Sequence, residues 1–313
     1  MIYGQGSYRY ELAENWGEIP AEWQVGPVAG INTDRDDNVY VLTRTDPPVI
    51  VMDRDGKILD HWGGDFFERP HGVYLTEDGR IYCADDNAHC VYGFDAAHRL
   101  FLTLGTRGVP SDTGCVNKKW QTILRGAGPF NYPTNVALSK DGDIYVSDGY
   151  GNARVHCFDP EGRLKFSWGE PGTEPGHFNL PHSLRFDAEG ILYVCDRQNH
   201  RVQLFEKDGR FLDQWTDLIR PADICFAPDG TAFVAECKRC SDFAYGVSRV
   251  SVLDRSGHVL ARIGGECDYD EHSESHHTAH GIAIDSEGCL YVGEVGKNFP
   301  AGYTGLQKLC PVK

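Results

Sequence analysis

Short apolar runs alternate with polar turns along almost the whole chain. Each run is rich in β-branched and aromatic residues and is bounded by Asp, Gly or Pro, the pattern of short antiparallel strands. The unit is clearest between residues 134 and 169. An apolar run at 134–137 leads through Lys140-Asp141-Gly142 to Ile144–Asp148, then to Arg154–Phe158, and through Pro160-Glu161-Gly162 to Leu164–Trp168 and Gly169. Such four-strand units recur at intervals of roughly forty to fifty residues, the spacing of propeller blades. Copies open near Ala29, His71, Thr134, His182, Ala222 and His280. The pattern predicts an all-β, six-bladed β-propeller in one domain, 1–313. The last copy has three strands, at 281–284, 289–293 and 305–309. Residues 8–16 followed by Gly17 resemble Leu164–Trp168 with Gly169, so an N-terminal strand is expected to complete the last blade and remove open sheet edges.

The six opening residues read Ala, His, Thr, His, Ala, His, so every second copy opens on histidine. Arranged radially, His71, His182 and His280 would put three imidazoles around one axis, the donor set of a divalent metal with an open fourth position. His280 is preferred over His276 and His277 because 281–284 matches the strand that follows His71, whereas the other two fall in the preceding loop. A lone histidine at such a position would be structural; the alternating set is what points to a metal.

Antiparallel order then fixes the faces. The Asp-Gly and Glu-Gly turns fall on one face as ordinary hairpin turns. The opening residues, the loops after each second strand and the connections between blades fall on the other. Arg44, Tyr150 and Arg197 each lie in or beside such a loop and are expected on the histidine face. A tyrosine beside a divalent cation loses its proton more readily, which would let Tyr150 act as a base. His89 and His200 occupy the same kind of loop and are expected to be exposed. Asp148 with Asn152, and Asp196 with Asn199, are expected to tie their loop backbones, with Arg154 and Arg201 packed alongside. Two long connections, 106–132 and 264–279, land on this face as candidate lids or substrate walls. The first carries Lys118, Lys119 and Trp120; the second is acidic and rich in histidine.

The net charge of -16 argues against nucleic acid and anionic membrane surfaces as partners. No apolar run reaches the ~18–20 residues of a membrane span, and residues 1–10 lack an apolar signal-peptide core. The expectation is a cytoplasmic protein whose eleven cysteines are reduced. Cys83, Cys157, Cys195, Cys225 and Cys289 fall in strand patterns as small buried hydrophobes. Cys237-Lys238-Arg239-Cys240 is a C-x-x-C in a loop, open to reading as half a zinc site, a redox or disulfide pair, or an incidental pair, with no second such pair and no thioredoxin-like context in the sequence.

At these residues, over about 30–295, the chain resembles the NHL-repeat propellers, and among them the peptidyl-α-hydroxyglycine α-amidating lyases. The resemblance is carried by Leu42-Thr43-Arg44, Pro70-His71-Gly72, Ser147-Asp148-Gly149-Tyr150, Pro181-His182-Ser183-Leu184, Asp196-Arg197 and His280-Gly281-Ile282. It implies zinc held by His71, His182 and His280, Tyr150 as base, and Arg44 and Arg197 positioning the substrate carboxylate and developing charge. The implied reaction cleaves the C–N bond of an N-substituted α-hydroxyglycine, giving an amide and glyoxylate. The chain departs from the family in several places. Thr278 replaces a methionine, and Gly281 replaces an acidic calcium ligand. That leaves only backbone oxygens near Ile31 and Val73 for an axial cation and argues against a structural calcium. Asn131, Gly151, Tyr193 and Leu204 replace the family's paired cysteines. With no hydroxylating domain in the sequence, a small α-hydroxy acid metabolite is a more natural substrate than a secreted peptide. Two other classes compete: a metal-dependent lactonase or related hydrolase, whose axial sites usually use carboxylates that the six opening positions lack, and a non-catalytic NHL interaction scaffold, which would call for a basic or aromatic patch.

Overall fold

A computed structural model describes residues 2–14, 16–20, 22–23, 25–237, 249–264, 277–296 and 303–312. Its strands form six sheets. Blade I comprises Val28–Thr33, Val39–Thr43, Val49–Met52 and Ile58–Trp62. Blade II comprises Pro70–Leu75, Ile81–Asp85, Cys90–Phe94 and Leu100–Gly105. Blade III is Pro133–Leu138, Ile144–Asp148, Arg154–Phe158 and Leu164–Trp168, and blade IV is Pro181–Phe186, Leu192–Asp196, Arg201–Phe205 and Phe211–Trp215. Blade V is Pro221–Phe226, Ala232–Glu236, Val250–Leu253 and Val259–Ile263. Blade VI takes His277–Ile284, Leu290–Gly296 and Leu306–Pro311 from the C-terminal end and Tyr8–Leu12 from the N-terminal end. The fold is the expected six-bladed β-propeller, nearly all β. The closing strand is where the sequence put it: Tyr10 pairs with Pro311 and Leu12 with Leu309. One strand was not foreseen, Ile2–Gln5, which folds back on Tyr8–Leu12 as a fifth strand of this sheet.

The contacts gather into two compact units, Phe67–Pro221, which holds blades II to IV, and Met1–Phe66 with Ala222–Lys313. In the first, Val91, Leu104, Val136 and Val146 fill the space between blades II and III, and Tyr145, Val155, Leu184 and Phe205 that between III and IV. In the second, Val41, Ile50, Ala283 and Tyr291 pack blade VI on blade I, while Phe233, Val252, Ile282 and Val292 pack V on VI. Inner strands buried on both faces explain why their apolar runs are continuous rather than alternating.

Two expectations about side chains are corrected. Cys289 is not a free thiol: it forms a disulfide with Cys310, as the pairing of Leu290 with Leu309 brings the neighbouring residues face to face. His89 is buried, not exposed: it has a left-handed backbone, packs on Tyr132 and accepts the Tyr132 N–H at Nδ1. His200 is exposed as expected. Cys237 is buried, and Cys240 lies outside the described residues. Among the described residues no helix is long and apolar enough to cross a membrane.

Candidate metal and catalytic site

The opening residue of a blade sits in a β-bulge. In blade II, Pro70 pairs with Asp85, but the next pair is Val73 with Cys83. In blade IV, Pro181–Asp196 is followed by Ser183–Cys195, and in blade VI Ala279–Glu294 by Gly281–Gly293. His71, His182 and His280 therefore fall where the ladder skips, and a bulge re-aims the side chain it carries. All three are buried. The inner strand of blade VI begins at His277, so that residue is in the strand rather than the loop, while His276 lies outside the described residues.

The imidazoles of His71 and His280 are held at Nδ1. That of His71 lies 2.6 Å from the Thr134 carbonyl oxygen, and that of His280 lies 2.7 Å from the Ala29 carbonyl oxygen. Each carbonyl belongs to the opening residue of the next blade. A carbonyl only accepts, so in each neutral ring Nδ1 carries the proton and Nε2 keeps its lone pair. The sequence Pro-His-Gly permits this contact: a Cβ on Gly72 would lie 2.6 Å from the Thr134 oxygen and 2.3 Å from Asn135 Oδ1. Only glycine lets the two inner strands approach this closely.

Tyr150 sits between two of the histidines. Its hydroxyl lies 2.9 Å from His71 Nε2 and 3.1 Å from His182 Nε2, and the two imidazole centroids are 4.8 Å apart. The phenol has one proton to share between two ring nitrogens, so the three groups surround a point that favours an electron-poor centre. Tyr150 is held by its own loop. Fully buried Asp148 accepts from the Asn131 N–H, the Asn152 amide and His156 Nε2, and the Tyr150 N–H donates to the Tyr132 carbonyl. Asp196 ties the matching loop of blade IV, accepting from the Asn179 N–H, Asn199 and Arg201. Arg201 is a structural residue as expected, with further bonds to Thr173, Glu174, His177 and Gln214. Arg154 lies beside Glu170.

The two arginines assigned to the substrate are half-buried after their second strands. Arg197 opens a one-turn helix, its N–H donating to Leu180, and the Arg44 N–H donates to Pro27. Three residues near Tyr150 escaped the sequence reading in this role. Arg69 lies 6.0 Å and Lys118 5.0 Å from the Tyr150 ring, and both bond to buried Asp86. The connection 106–132 that carries Lys118 is pinned down. Thr113 Oγ1 donates to Gly151, Asn131 Nδ2 to Ser111, and the Gly126 N–H to Glu170. It is tied to the loop that carries Tyr150. Of the connection at 264–279, residues 265–276 lie outside the described residues.

The place of the family's calcium ligand is crowded. A Cβ on Gly281 would lie 3.0 Å from the Ile31 nitrogen and 3.2 Å from Gly30 Cα, so an acidic side chain there would require blade I to shift.

The NHL-repeat family model matches residues 130–158 and 178–205, the parts of blades III and IV that carry Tyr150, His182 and Arg197. The human NHL repeat-containing protein 3 is 28% identical, over 96% of this chain and 86% of its own length. A probable peptidyl-alpha-hydroxyglycine alpha-amidating lyase of Caenorhabditis elegans is 32% identical over 50% of this chain. The match spans 42% of that relative. Among solved structures, a gluconolactonase from Xanthomonas campestris superposes with a TM-score of 0.64 at 15% identity, over 97% of this chain and 90% of that one, which shows the shared fold. The chain carries NHL repeats, folds as a six-bladed propeller and has homologues named as amidating lyases.

Proposed function

We propose that the protein is a metal-dependent carbon–nitrogen lyase that cleaves an N-substituted α-hydroxyglycine, or a similar small α-hydroxy acid, into an amide and glyoxylate. The observation that carries this reading is the Tyr150 hydroxyl within hydrogen-bond reach of Nε2 of both His71 and His182. His280 completes the set. It occupies the equivalent bulge of blade VI, is buried, and has its Nδ1 committed to a carbonyl in the same way as His71. Three neutral imidazoles fit zinc or another divalent transition metal, with a position left open for substrate. Bound there, the metal would polarise the substrate's hydroxyl and carboxylate oxygens and favour ionised groups beside it.

The rest of the chemistry falls to the chain. Tyr150 takes the proton of the α-hydroxyl as the carbonyl of glyoxylate forms. The C–N bonding pair leaves with nitrogen, whose new N–H balances the proton removed. Arg44 and Arg197 hold the α-carboxylate by charge-assisted hydrogen bonds. Buried Asp148 fixes the loop that aims the phenol, and the 106–132 connection shields one side from water.

Elemental analysis of protein purified without chelator tests the metal centre. The expected result is close to one transition metal per chain, lost on changing His71 or His182 to Ala. Stoichiometric metal retained by the double variant would refute the assignment and direct attention to Cys237 and Cys240.

A further inference from the structure

Arg69 and Lys118 are two cations held by one carboxylate. Arg69 Nη1 donates to Asp86 Oδ2 at 2.5 Å, and Lys118 Nζ donates to Asp86 Oδ1 at 2.7 Å and to Asn87 at 3.1 Å. The Asp86 side chain is fully buried, whereas those of Arg69 and Lys118 retain 28% and 24% exposure. A guanidinium has five N–H donors, and among the described residues Arg69 meets no acceptor for its side chain beyond Asp86. Its orientation is thus fixed from behind while donors remain open to solvent. Both cations lie against the Tyr150 ring, and Lys118 also lies 4.4 Å from the Tyr132 ring. Two cations therefore stand side by side on a chain whose net charge is -16. An open arginine fork with an ammonium beside it is suited to a planar oxyanion.

We propose that Arg69 and Lys118 form an anion subsite beside Tyr150, so that the substrate carries a second carboxylate, on the nitrogen side of the bond that breaks. The proposal rests on the lyase reading for its orientation: the α-carboxylate belongs to Arg44 and Arg197, which leaves the nitrogen substituent for this pair. The preferred class is a small dianion, an N-acyl α-hydroxyglycine whose acyl chain ends in a carboxylate.

The test compares N-succinyl-α-hydroxyglycine with its terminal amide, identical but for one charge. The expected kcat/KM preference for the acid is on the order of 10–100-fold, as for loss of a charge-assisted hydrogen bond. It should fall towards unity in Arg69→Met and in Lys118→Met. Calorimetric titration with N-succinylglycine and its terminal amide, which lack the reacting hydroxyl, reads the same preference without turnover. Binding preference that is lost in the variants, with neither hydroxyglycine cleaved, would leave the subsite standing and remove the lyase reading. Equal binding of acid and amide by the wild type, or a preference that survives in both variants, would overturn the subsite. If Arg69→Met does not fold by circular dichroism, Lys118→Met, which leaves the Arg69–Asp86 pair in place, decides the matter.

Discussion

Replacing Asp148 with Ala probes the link between the fold and the site. Three donors converge on its buried carboxylate: the Asn131 N–H at 2.9 and 3.0 Å from its two oxygens, Asn152 Nδ2 at 2.8 Å and His156 Nε2 at 3.2 Å. His156 must donate through Nε2, since a carboxylate only accepts, and its Nδ1 is met by Ser167. Each buried donor left unsatisfied costs about 1–3 kcal/mol, and water entering the vacated space would recover part of it. The expected loss is therefore about 3–5 kcal/mol. Asp148→Asn keeps the shape and one acceptor oxygen but turns an NH2 towards donors, so it should lose less. Urea denaturation followed by circular dichroism gives the difference, with exposed Asp141→Ala as the surface reference. Faster hydrogen exchange at the Asn131 amide would localise it. A loss under about 1 kcal/mol for Asp148→Ala, within the range of surface substitutions, would show that the carboxylate does not hold this loop.

Two further outcomes are expected. His280→Ala should abolish metal binding while His276→Ala and His277→Ala leave it in place; the reverse would show that the blade VI register does not set the third ligand. His89 is held below its ordinary pKa, by burial first and then by the Lys118 charge, against opposition from Asp148, Asp86 and Glu68. Its folded form resists the proton that the unfolded chain accepts, so stability should be full above about pH 6.5 and fall as pH drops below that value. The Tyr132 amide, which donates to the unprotonated Nδ1, should then exchange faster at pH about 5.5 than at pH about 7.5 after correction for intrinsic rates, and His89→Asn should flatten the change. A flat profile in the wild type would remove His89 from this role.

The blades were legible because each repeats one local grammar of apolar runs and Gly-containing turns, and the alternation of His71, His182 and His280 is visible as soon as the copies are aligned. The loop ties were legible too, since Asp148 reaches Asn152, and Asp196 reaches Asn199, within a few residues. Features set by register or by distant pairing were not. The bulges that turn the histidines out of the ladder exist only in the backbone. The disulfide needed the pairing of Leu290 with Leu309, after which Cys289 and Cys310 are neighbours. The Arg69–Asp86–Lys118 cluster joins residues 17 and 32 positions apart, and no periodicity links them. His89 looked like any loop histidine; its burial comes from Tyr132, 43 residues on. The strand Ile2–Gln5 has only four residues and is mostly exposed, so its pairing with Tyr8–Leu12 left no periodic signal.

Glyoxylate released from an N-acyl α-hydroxyglycine tests the central claim most directly, measured on the metal-loaded protein, after chelation, and in Tyr150→Phe. The account predicts metal-dependent release that falls by about 10²–10⁴-fold when the hydroxyl alone is removed, the usual cost of losing a general base. Metal-dependent hydrolysis of a lactone panel that is indifferent to Tyr150, with no glyoxylate formed, would contradict the lyase and favour a hydrolase. No activity towards either panel, in protein that binds no metal, would leave the propeller as a scaffold.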